Sequence, residues 1–301
     1  MTAANQDVRI EISEDFLKKL GAIRNLPTLP VVMQKLGQEV RNPNSDAKKI
    51  AKIIEDDPAM MARILKVVNS AFYAGVESVT SIQLAVARIG MRAVGNIAMS
   101  TAVFSAFGKP GVEDFNRQEF WRHSICTGIA AGVLYDRVKS NVPFKFGKDI
   151  LHLAGLLHDI GKIVFDQYFH DEFMRALKKG ETDQITLKDA ESVVIGESHN
   201  KVGAWLGQKW NLTDDLLNVI SHHHNPDNAD EKYWYLAGLV HTANYICNLE
   251  KIGCSGDAVP DVVPNIWKKF GLSVGDIPEV VDTVNEESKK SEILLAMAQG
   301  K

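Results

Sequence analysis

The stretch IAKIIEDDPAMMARILKVVNSAFY, residues 50–73, indicates the fold class of this chain. Its first apolar residues, Ile50, Ile53 and Ile54, recur at helical spacing, and the pattern stops at an Asp-Asp-Pro sequence. Aspartate accepts hydrogen bonds from free N–H groups at a helix start, and proline fits the first turn without needing a donor. The sequence therefore predicts that one helix ends at this point and that another begins at Pro58.

Helical periodicity continues through the rest of the chain, and no alternating apolar and polar run is bounded by the turn signals of a β-hairpin. We therefore predict an all-α fold. The clearest break is the Gly-Lys-Pro-Gly sequence at residues 108–111, which separates a first helical lobe, residues 14–110, from a second, residues 111–252. The remaining residues, 253–301, form a C-terminal extension with a last helix near residues 277–297.

Composition excludes several classes of function for this chain of 301 residues, of which 45% are hydrophobic and 24% charged. The formal net charge of −4 argues against a nucleic-acid ligand, since binding to phosphates requires clustered Lys and Arg. No apolar run reaches the ~18 residues of a membrane span, and the N-terminus lacks a signal-peptide pattern. We expect a cytoplasmic protein that binds neither nucleic acid nor membranes.

Three cysteines, Cys126, Cys247 and Cys254, are present, and no two of them form a CxxC pair. An odd number without this spacing indicates neither a disulfide framework nor a thiolate zinc site. We expect buried, reduced thiols, because free cysteine is among the most buried residue types.

Histidines and one aspartate at positions on four predicted helices form the candidate functional site: His123, His158, Asp159, His199, His223 and His224. The two neighbours His158 and Asp159 lie in LLHDIGK, residues 156–162, at the end of an apolar helix. Gly203 and Gly207 follow His199 at intervals of four, which allows another helix to approach the imidazole. On a further helix, Asn244 could present a final oxygen ligand.

Imidazole and carboxylate ligands together suit iron, manganese, nickel or zinc, so we predict that the set binds one or two transition-metal ions. Each histidine also has a structural explanation. A single histidine near an apolar face is more often a hydrogen-bonded core or cap residue, which is our interpretation of His152, His170 and His241. The triplet that begins at His222 has a similar alternative, because a protonated histidine complements the dipole at a helix C-terminus.

The motifs of the second lobe resemble those of the HD phosphohydrolase superfamily, especially its HD-GYP branch: His-Ser, then His-Asp before Gly-Lys, then His-x-x-x-Gly, then His-His. In the first lobe, LPTLPVVMQKL, IIEDDPAMMARILKVVNSAFYA and SIQLAVARIG are similar to the HDOD family, the HD-related output domain of bacterial signalling proteins. The resemblance covers roughly residues 20–249. It implies a helical N-terminal lobe packed on an HD-like helical lobe, and a regulatory role.

Two departures from the catalytic pattern of the superfamily concern this site. Catalytic members close it with a further aspartate, and the matching position here is Asn244, whose amide oxygen brings no negative charge. After His224 the chain reads NPDNADEKYW, without the glutamate and the Gly-Tyr-Pro element of the HD-GYP branch. The resemblance implies that Lys162 faces a substrate phosphate in catalytic members, and the alternative is a solvated cation at a helix end. Asp159 and Lys162 are the candidates for catalysis.

We therefore expect an HDOD-type signalling protein whose site retains metal and acts in regulation through contacts with other signalling proteins. The first alternative is a metal-dependent phosphohydrolase acting on a nucleotide or cyclic dinucleotide, in which a metal-bound water attacks phosphorus and Lys162 neutralises the developing charge. The second is an iron-based sensor of redox state or of a ligand. Asn244 and the missing Gly-Tyr-Pro element argue against the phosphohydrolase, but they do not argue against the sensor. The oligomeric state is left open.

Overall fold

The structure is a computed structural model that describes residues 12–24, 26, 31–42, 44–70, 73, 78–107, 114–261, 263–290 and 296. These residues form α-helices, short 3₁₀ turns and connecting loops, with no strand among them. The predicted all-α fold is confirmed. Two predicted features, the break at residues 108–111 and the end of the last helix near Met297, lie outside the described residues.

Sixteen α-helices occur in the described parts of the chain: α1 (Glu14–Gly21), α2 (Val31–Arg41), α3 (Ala47–Glu55), α4 (Pro58–Val68), α5 (Ile82–Ile89), α6 (Met91–Phe107), α7 (Arg117–Val138), α8 (Lys148–Leu157), α9 (Ile160–Tyr168), α10 (His170–Asp183), α11 (Leu187–Val194), α12 (His199–Lys209), α13 (Asp214–His222), α14 (Glu231–Leu249), α15 (Pro264–Phe270) and α16 (Ile277–Lys290). Short 3₁₀ turns lie at Lys139–Asn141, Pro226–Asn228 and Val274–Asp276.

The Asp-Asp-Pro sequence ends α3 and begins α4, as predicted. Helix α3 ends at Glu55, α4 begins at Pro58, and the Asp57 carboxylate accepts a hydrogen bond from the Met60 N–H at 3.0 Å. Ile50 and Ile54 are completely buried. The helix caps and the apolar faces therefore indicate the same helix boundaries, which is why this stretch identifies the fold class.

Helix α6 joins the two lobes. It packs against α2 and α4 on one side and against α8 on the other. The Asn96 amide donates to the Asp149 carboxylate at 2.9 Å, and Phe104 meets Trp121 edge to face with ring centroids 5.2 Å apart. The lobes are thus packed on one another through both apolar and polar contacts.

Helix α7 is the centre of the second lobe, where it contacts α8, α14 and α16. Its approach to α8 is so close that a Cβ atom built on Gly155 would lie 2.2 Å from the Gly128 backbone nitrogen. Helices α9 and α12 approach in the same way, since a Cβ atom on Gly161 would lie 2.0 Å from the His199 carbonyl oxygen. Only glycine permits these two contacts, and both bring site histidines toward the junction of α8 and α9.

Helix α1 lies against the second lobe, although the predicted division placed it in the first. Phe16 stacks on Phe169 with ring centroids 5.3 Å apart, and the Ser13 N–H donates to the Glu197 carboxylate at 2.8 Å. The positions of the lobe boundaries remain predictions. No described helix has both the length and the apolar character that crossing a membrane would need.

One prediction about the cysteines is wrong. All three thiols are free, and Cys126 and Cys247 are buried, but Cys254 is exposed. Cys254 lies in the loop after α14, whose path over the second lobe leaves this side chain on the outer surface. Burial statistics for cysteine describe cores and do not apply to such a loop.

Candidate metal centre

The junction of α8 and α9 carries the His-Asp pair. His158 follows the last residue of α8, Asp159 precedes the first residue of α9, and neither side chain is exposed at all. The His158 Nδ1 lies 2.6 Å from the Gly155 carbonyl oxygen, to which it donates. This hydrogen bond assigns the proton to Nδ1 and leaves the lone pair of Nε2 available for a metal ion.

His199 is oriented by a carboxylate that sequence reasoning missed. Its Nδ1 lies 2.6 Å from Glu191 Oε2, which also accepts the His199 backbone N–H at 2.8 Å. Its Nε2 points in the other direction and lies 3.2 Å from Asp159 Oδ1. Glu191 shares the buried face of α11 with Leu187 and Ala190. A glutamate on an apolar helix face eight residues before a candidate ligand is the signal that could have revealed it.

His223 and His224 complete the cluster from the end of α13. The His223 Nδ1 faces the carbonyl oxygens of Val219 and Ile220 at 3.2 and 3.1 Å, so its Nε2 is left facing Asp159 Oδ1 at 3.4 Å. The two Nε2 atoms of His224 and His199 are 2.8 Å apart. The predicted direction of this pair toward the core is confirmed, since both side chains are buried.

The donor atoms fit a metal ion. Among the described residues, three buried polar atoms of this cluster have no hydrogen-bond partner: His158 Nε2, Asp159 Oδ1 and His223 Nε2. Unpartnered polar atoms are costly in a protein interior, and lone pairs that converge from three side chains are what a cation would satisfy. Two sets place donor atoms within 4.8 Å of one another: Asp159, His199, His223 and His224; and His123, His158 and Asp159.

His123 and Asn244 are hydrogen-bonded to each other. His123 Nε2 lies 2.8 Å from Asn244 Oδ1, and its Nδ1 lies 3.3 Å from the Ile252 carbonyl oxygen. Asn244 Oδ1 also accepts a hydrogen bond from the Asn248 amide at 2.9 Å. The structure thus brings both residues to the site, as the sequence predicted, but His123 must give up the Asn244 contact before its Nε2 can bind an ion.

Lys162 is completely buried, so the alternative that treated it as a solvated helix-end cation is wrong. Its ammonium donates to Asp159 Oδ2 and to Asp257 Oδ2, each at 2.7 Å. Asp257 lies in the loop after α14 and is separated from Lys162 by 95 residues. No local pattern in the sequence marks it, because its role depends on where this loop crosses the second lobe.

The electrostatics of the cluster follow from these contacts. Burial opposes ionisation of Asp159, but His158 and Lys162 outweigh it and hold the pKa of this carboxyl well below its usual value. Burial also opposes protonation of His199, yet the Glu191 carboxylate raises the pKa of this imidazole to about 9. An ion that binds His199 Nε2 therefore competes with a proton. Burial lowers the pKa values of His123 and His224 to about 4.

In metal-free protein, we expect the free energy of unfolding to fall as the pH is lowered from 6.5 to about 4. The pKa of His123 is about 4 in the folded state, against an ordinary value of 6.5, so the unfolded chain binds more protons in this window. His123→Gln should make this dependence shallower by up to about 1.4 kcal/mol per pH unit. Urea unfolding of chelated protein at several pH values measures both slopes, and equal slopes would contradict the assignment.

Three other histidines lie outside the cluster. His241 Nδ1 contacts the His223 carbonyl oxygen at 2.7 Å, and its Nε2 accepts the Val263 N–H at 3.1 Å, which confirms a hydrogen-bonded core residue. His170 is the first residue of α10, and its Nδ1 lies 3.0 Å from Asp166 Oδ1, which confirms a hydrogen-bonded residue outside the metal cluster. His152 is half-buried and lines a cleft of about 680 Å³ between α7, α8 and α16.

The family model of the HDOD domain matches residues 26–226, which is most of the chain. A curated relative, an uncharacterized protein of Treponema pallidum (strain Nichols), is 27% identical over 222 residues, covering 74% of this chain and 42% of the relative. This chain therefore spans less than half of the length of that relative.

Solved structures share the fold. An HDOD domain protein of unknown function from Geobacter sulfurreducens is 24% identical with a TM-score of 0.73, over 93% of this chain and 95% of that one. A provisionally named signal transduction protein from Marinobacter aquaeolei VT8 is 24% identical with a TM-score of 0.70, over 96% and 61%. A provisionally named metal-dependent phosphohydrolase from Shewanella amazonensis SB2B is 25% identical with a TM-score of 0.53, over 90% and 96%.

The family match extends from Leu26 in the first lobe to Pro226, two residues after His224. It therefore includes the junction of α8 and α9 and every histidine of the candidate metal centre, and it stops before Asn244 and Asp257. The first two structures, at 24% identity, add a likeness of fold. The chain belongs to the HDOD domain family.

Proposed function

We propose that this protein is a regulatory HDOD protein whose buried HD-type site holds a metal ion and does not hydrolyse phosphate esters. Its partners would be other bacterial signalling proteins, which it would meet in the cytoplasm. The observation that carries the proposal is the state of Lys162. Its buried ammonium, beside the metal donors, is already engaged by two carboxylates, Asp159 and Asp257.

Hydrolysis of a phosphate ester needs an activated water, neutralisation of the phosphate charge and a pocket that orients the substrate. Lys162 offers no free positive charge for the second task, since its two partners together carry more negative charge than the ammonium carries positive. Access is equally restricted, because Asn244, the most exposed of the predicted metal ligands, is only 7% exposed. A substrate phosphate would have to displace Asp257 and open the protein at the same time.

The loop after His224 adds to the negative charge near the site. Asp227 accepts a hydrogen bond from the Trp234 indole N–H at 2.7 Å, and Asp230 and Glu231 begin α14. Carboxylates at this position repel a nucleotide phosphate. Where the HD-GYP branch would be expected to recognise its substrate, this chain therefore presents the wrong charge.

A charge count favours one ion rather than two. Asp159, Glu191 and Asp257 bring three negative charges into the buried region, and Lys162 brings one positive charge. With neutral imidazoles the region carries a net charge of −2, which one divalent cation would neutralise. A second divalent ion would leave an excess of buried positive charge, which is costly without a further carboxylate. The histidine-rich donor set suits iron, manganese, nickel or zinc.

The alternative function is a metal-dependent phosphohydrolase, which is the provisional name of the 25% identical protein from Shewanella amazonensis. A bound ion would supply a water of lowered pKa as nucleophile. For this chain to act so, Asp159, His199 and His223 would hold the ion while Lys162, released from Asp257, would receive the phosphate. The convergence of the donor atoms favours metal binding in both functions, and the contact of Lys162 with Asp257 is the main observation that separates them.

A turnover assay tests the proposal. We expect no hydrolysis of a cyclic dinucleotide above the metal-only blank when the protein is supplied with manganese or with iron(II). His158→Ala protein serves as the control for traces of a contaminating hydrolase, since both proteins should then show the same background. Multiple turnovers that require metal and disappear in His158→Ala would overturn the regulatory proposal in favour of the phosphohydrolase.

Asn244→Asp tests the ion count. A carboxylate at this position restores a charged oxygen beside His123 and lowers the cost of a second positive centre, so we expect a higher metal affinity or stoichiometry. Elemental analysis and a chelator titration measure both quantities. Asn218→Asp, which changes another buried asparagine on the neighbouring helix α13, is the matched control. Unchanged metal content and affinity in Asn244→Asp would show that this residue does not limit binding.

A further inference from the structure

The loop that follows α14 crosses over the metal centre and contacts it at three points. We name residues 253–261 the strap. Directly before the strap, the Ile252 carbonyl oxygen faces His123 Nδ1. Asp257 holds the Lys162 ammonium, and Asp261 Oδ2 lies 3.3 Å from His224 Nδ1. Ile252 and the strap together therefore contact residues of α7, of α9 and of the end of α13, and they lie beyond the residues that match the family.

Gly253 allows the strap to enter this position. Its φ of +69° is in the left-handed region, and a Cβ atom would lie 2.4 Å from the His123 backbone nitrogen and 2.5 Å from the Glu119 carbonyl oxygen. The next residue is held directly, because the Cys254 N–H donates to the same Glu119 carbonyl at 3.0 Å. Both the conformation and the lack of space require glycine here.

A polar chain then links the strap to the site. The Ser255 hydroxyl accepts the Asp257 N–H at 3.1 Å and lies 2.6 Å from Asn248 Oδ1. Asn248 in turn donates to Asn244, which faces His123. The Ser255 hydroxyl also lies 3.0 Å from Asp257 Oδ2, so the carboxylate of Asp257 is held by its own turn as well as by Lys162, and its side chain is only 5% exposed.

The charges make this arrangement dependent on a cation. Lys162 and an ion bound at Asp159 Oδ1 would be two positive centres that share one carboxylate, and Asp257 offsets their repulsion. Without the ion, the three carboxylates still outnumber the positive groups around them, and Asp159 and Asp257 repel each other across Lys162. Asp159 and Glu191 belong to helices or helix junctions packed in the core, whereas Asp257 is on a loop. The loop is therefore the part that can relieve the repulsion by moving.

We propose that the strap closes over the site when a divalent ion is bound and is released when the ion is lost, with Asp257 as the positioning residue that couples the two. The inference rests on the proposed metal binding. The coupling is reciprocal, since an ion that favours the closed strap must itself be held more tightly by it. Strap release would report site occupancy to the surface without any catalytic step, as a regulatory protein requires.

Hydrogen exchange measured by mass spectrometry tests this coupling on the full chain, first loaded with zinc and then stripped with a chelator. We expect amides of residues 254–261 to exchange about tenfold faster after zinc is removed, within the usual range of such couplings. Amides of α3, which packs against α2, α4 and α5 and away from the strap, should not change. Equal protection of the strap in zinc-bound and stripped protein would overturn the inference.

Two variants separate the charge from the path of the strap. Asp257→Asn keeps the shape but removes the charge, and Gly253→Ala keeps every charge but displaces the loop. In both, we expect fast exchange of the strap with and without zinc and release of zinc to a chelator about tenfold faster than in the wild type. Asp282→Asn, on the exposed face of α16, is the control and should behave as the wild type does.

Failure of this inference is distinguishable from failure of the proposed function. If Asp257→Asn retains both zinc and protection of the strap at wild-type levels, Asp257 does not couple the strap to the ion, although the proposed metal site is supported. If elemental analysis finds that wild-type protein takes up none of zinc, iron, manganese and nickel, the proposed metal site itself is contradicted, and so is the inference.

Discussion

Replacing His158 and Asp159 together by alanine is expected to abolish metal binding. The double substitution removes an unpartnered imidazole nitrogen and the carboxylate oxygen toward which His199 and His223 point at 3.2 and 3.4 Å. The remaining imidazoles then lack a carboxylate ligand, and the two donor sets lose the residue that they share. We expect the metal content to fall from about one ion per chain to background, since a site rarely survives the loss of two ligands.

The measurement is elemental analysis of protein purified without chelators and without a nickel column, because either would change the metal content. His222→Ala with Asp230→Ala is the matched control. It removes one histidine and one aspartate next to the same site, and neither belongs to a donor set. Wild-type protein without metal, or a double variant that keeps its metal, would contradict the proposed site. Circular dichroism should show that the variant remains helical, since Lys162 keeps Asp257 as a partner.

A large loss of stability is expected from Gly155→Ala. The new methyl group would lie 2.2 and 2.3 Å from the Gly128 backbone nitrogen and Cα atom, so two helix backbones would have to separate. Because backbone cannot give way as a flexible side chain can, we expect the free energy of unfolding to fall by about 3 kcal/mol or more. The same separation would move His123 on α7 away from His158, so metal affinity should fall as well.

Gly180→Ala is the control for this prediction. Gly180 is also a buried helical glycine, but a Cβ atom added to it would lie 3.5 Å or more from its nearest neighbours, which is an ordinary contact. Alanine favours a helix over glycine by about 0.5–1 kcal/mol, so this variant should be neutral or slightly more stable. Chemical denaturation of both variants measures the difference. A Gly155→Ala protein as stable as Gly180→Ala would show that α7 and α8 are less tightly packed than the structure has them.

Much of the fold was predictable because its signals are local. Helical periodicity in residues 50–73 and the Asp57 cap depend on residues a few positions apart, and they identified α3, α4 and the all-α class. The glycines after His199, Gly203 and Gly207, indicated a close helix approach, which the contact of Gly203 with Gly161 between α12 and α9 confirms. The residue types of the candidate ligands were likewise visible in the sequence.

The pairing of these residues, in contrast, could be read only from the folded chain. Glu191 orients His199, and Asp257 reaches Lys162 across 95 residues of chain. Lys162 shows most clearly what the sequence leaves undecided, because its position at a helix end is compatible with either a solvated cation or a buried ion pair. Periodicity reports which face of a helix is apolar, but it does not contain the path of a loop that returns over that face. Local patterns in the sequence were enough to predict the helices and the residue types of the candidate ligands. Which of these side chains keep a lone pair free for a metal ion depends on contacts between distant segments, and these contacts form only when the helices and the strap pack together.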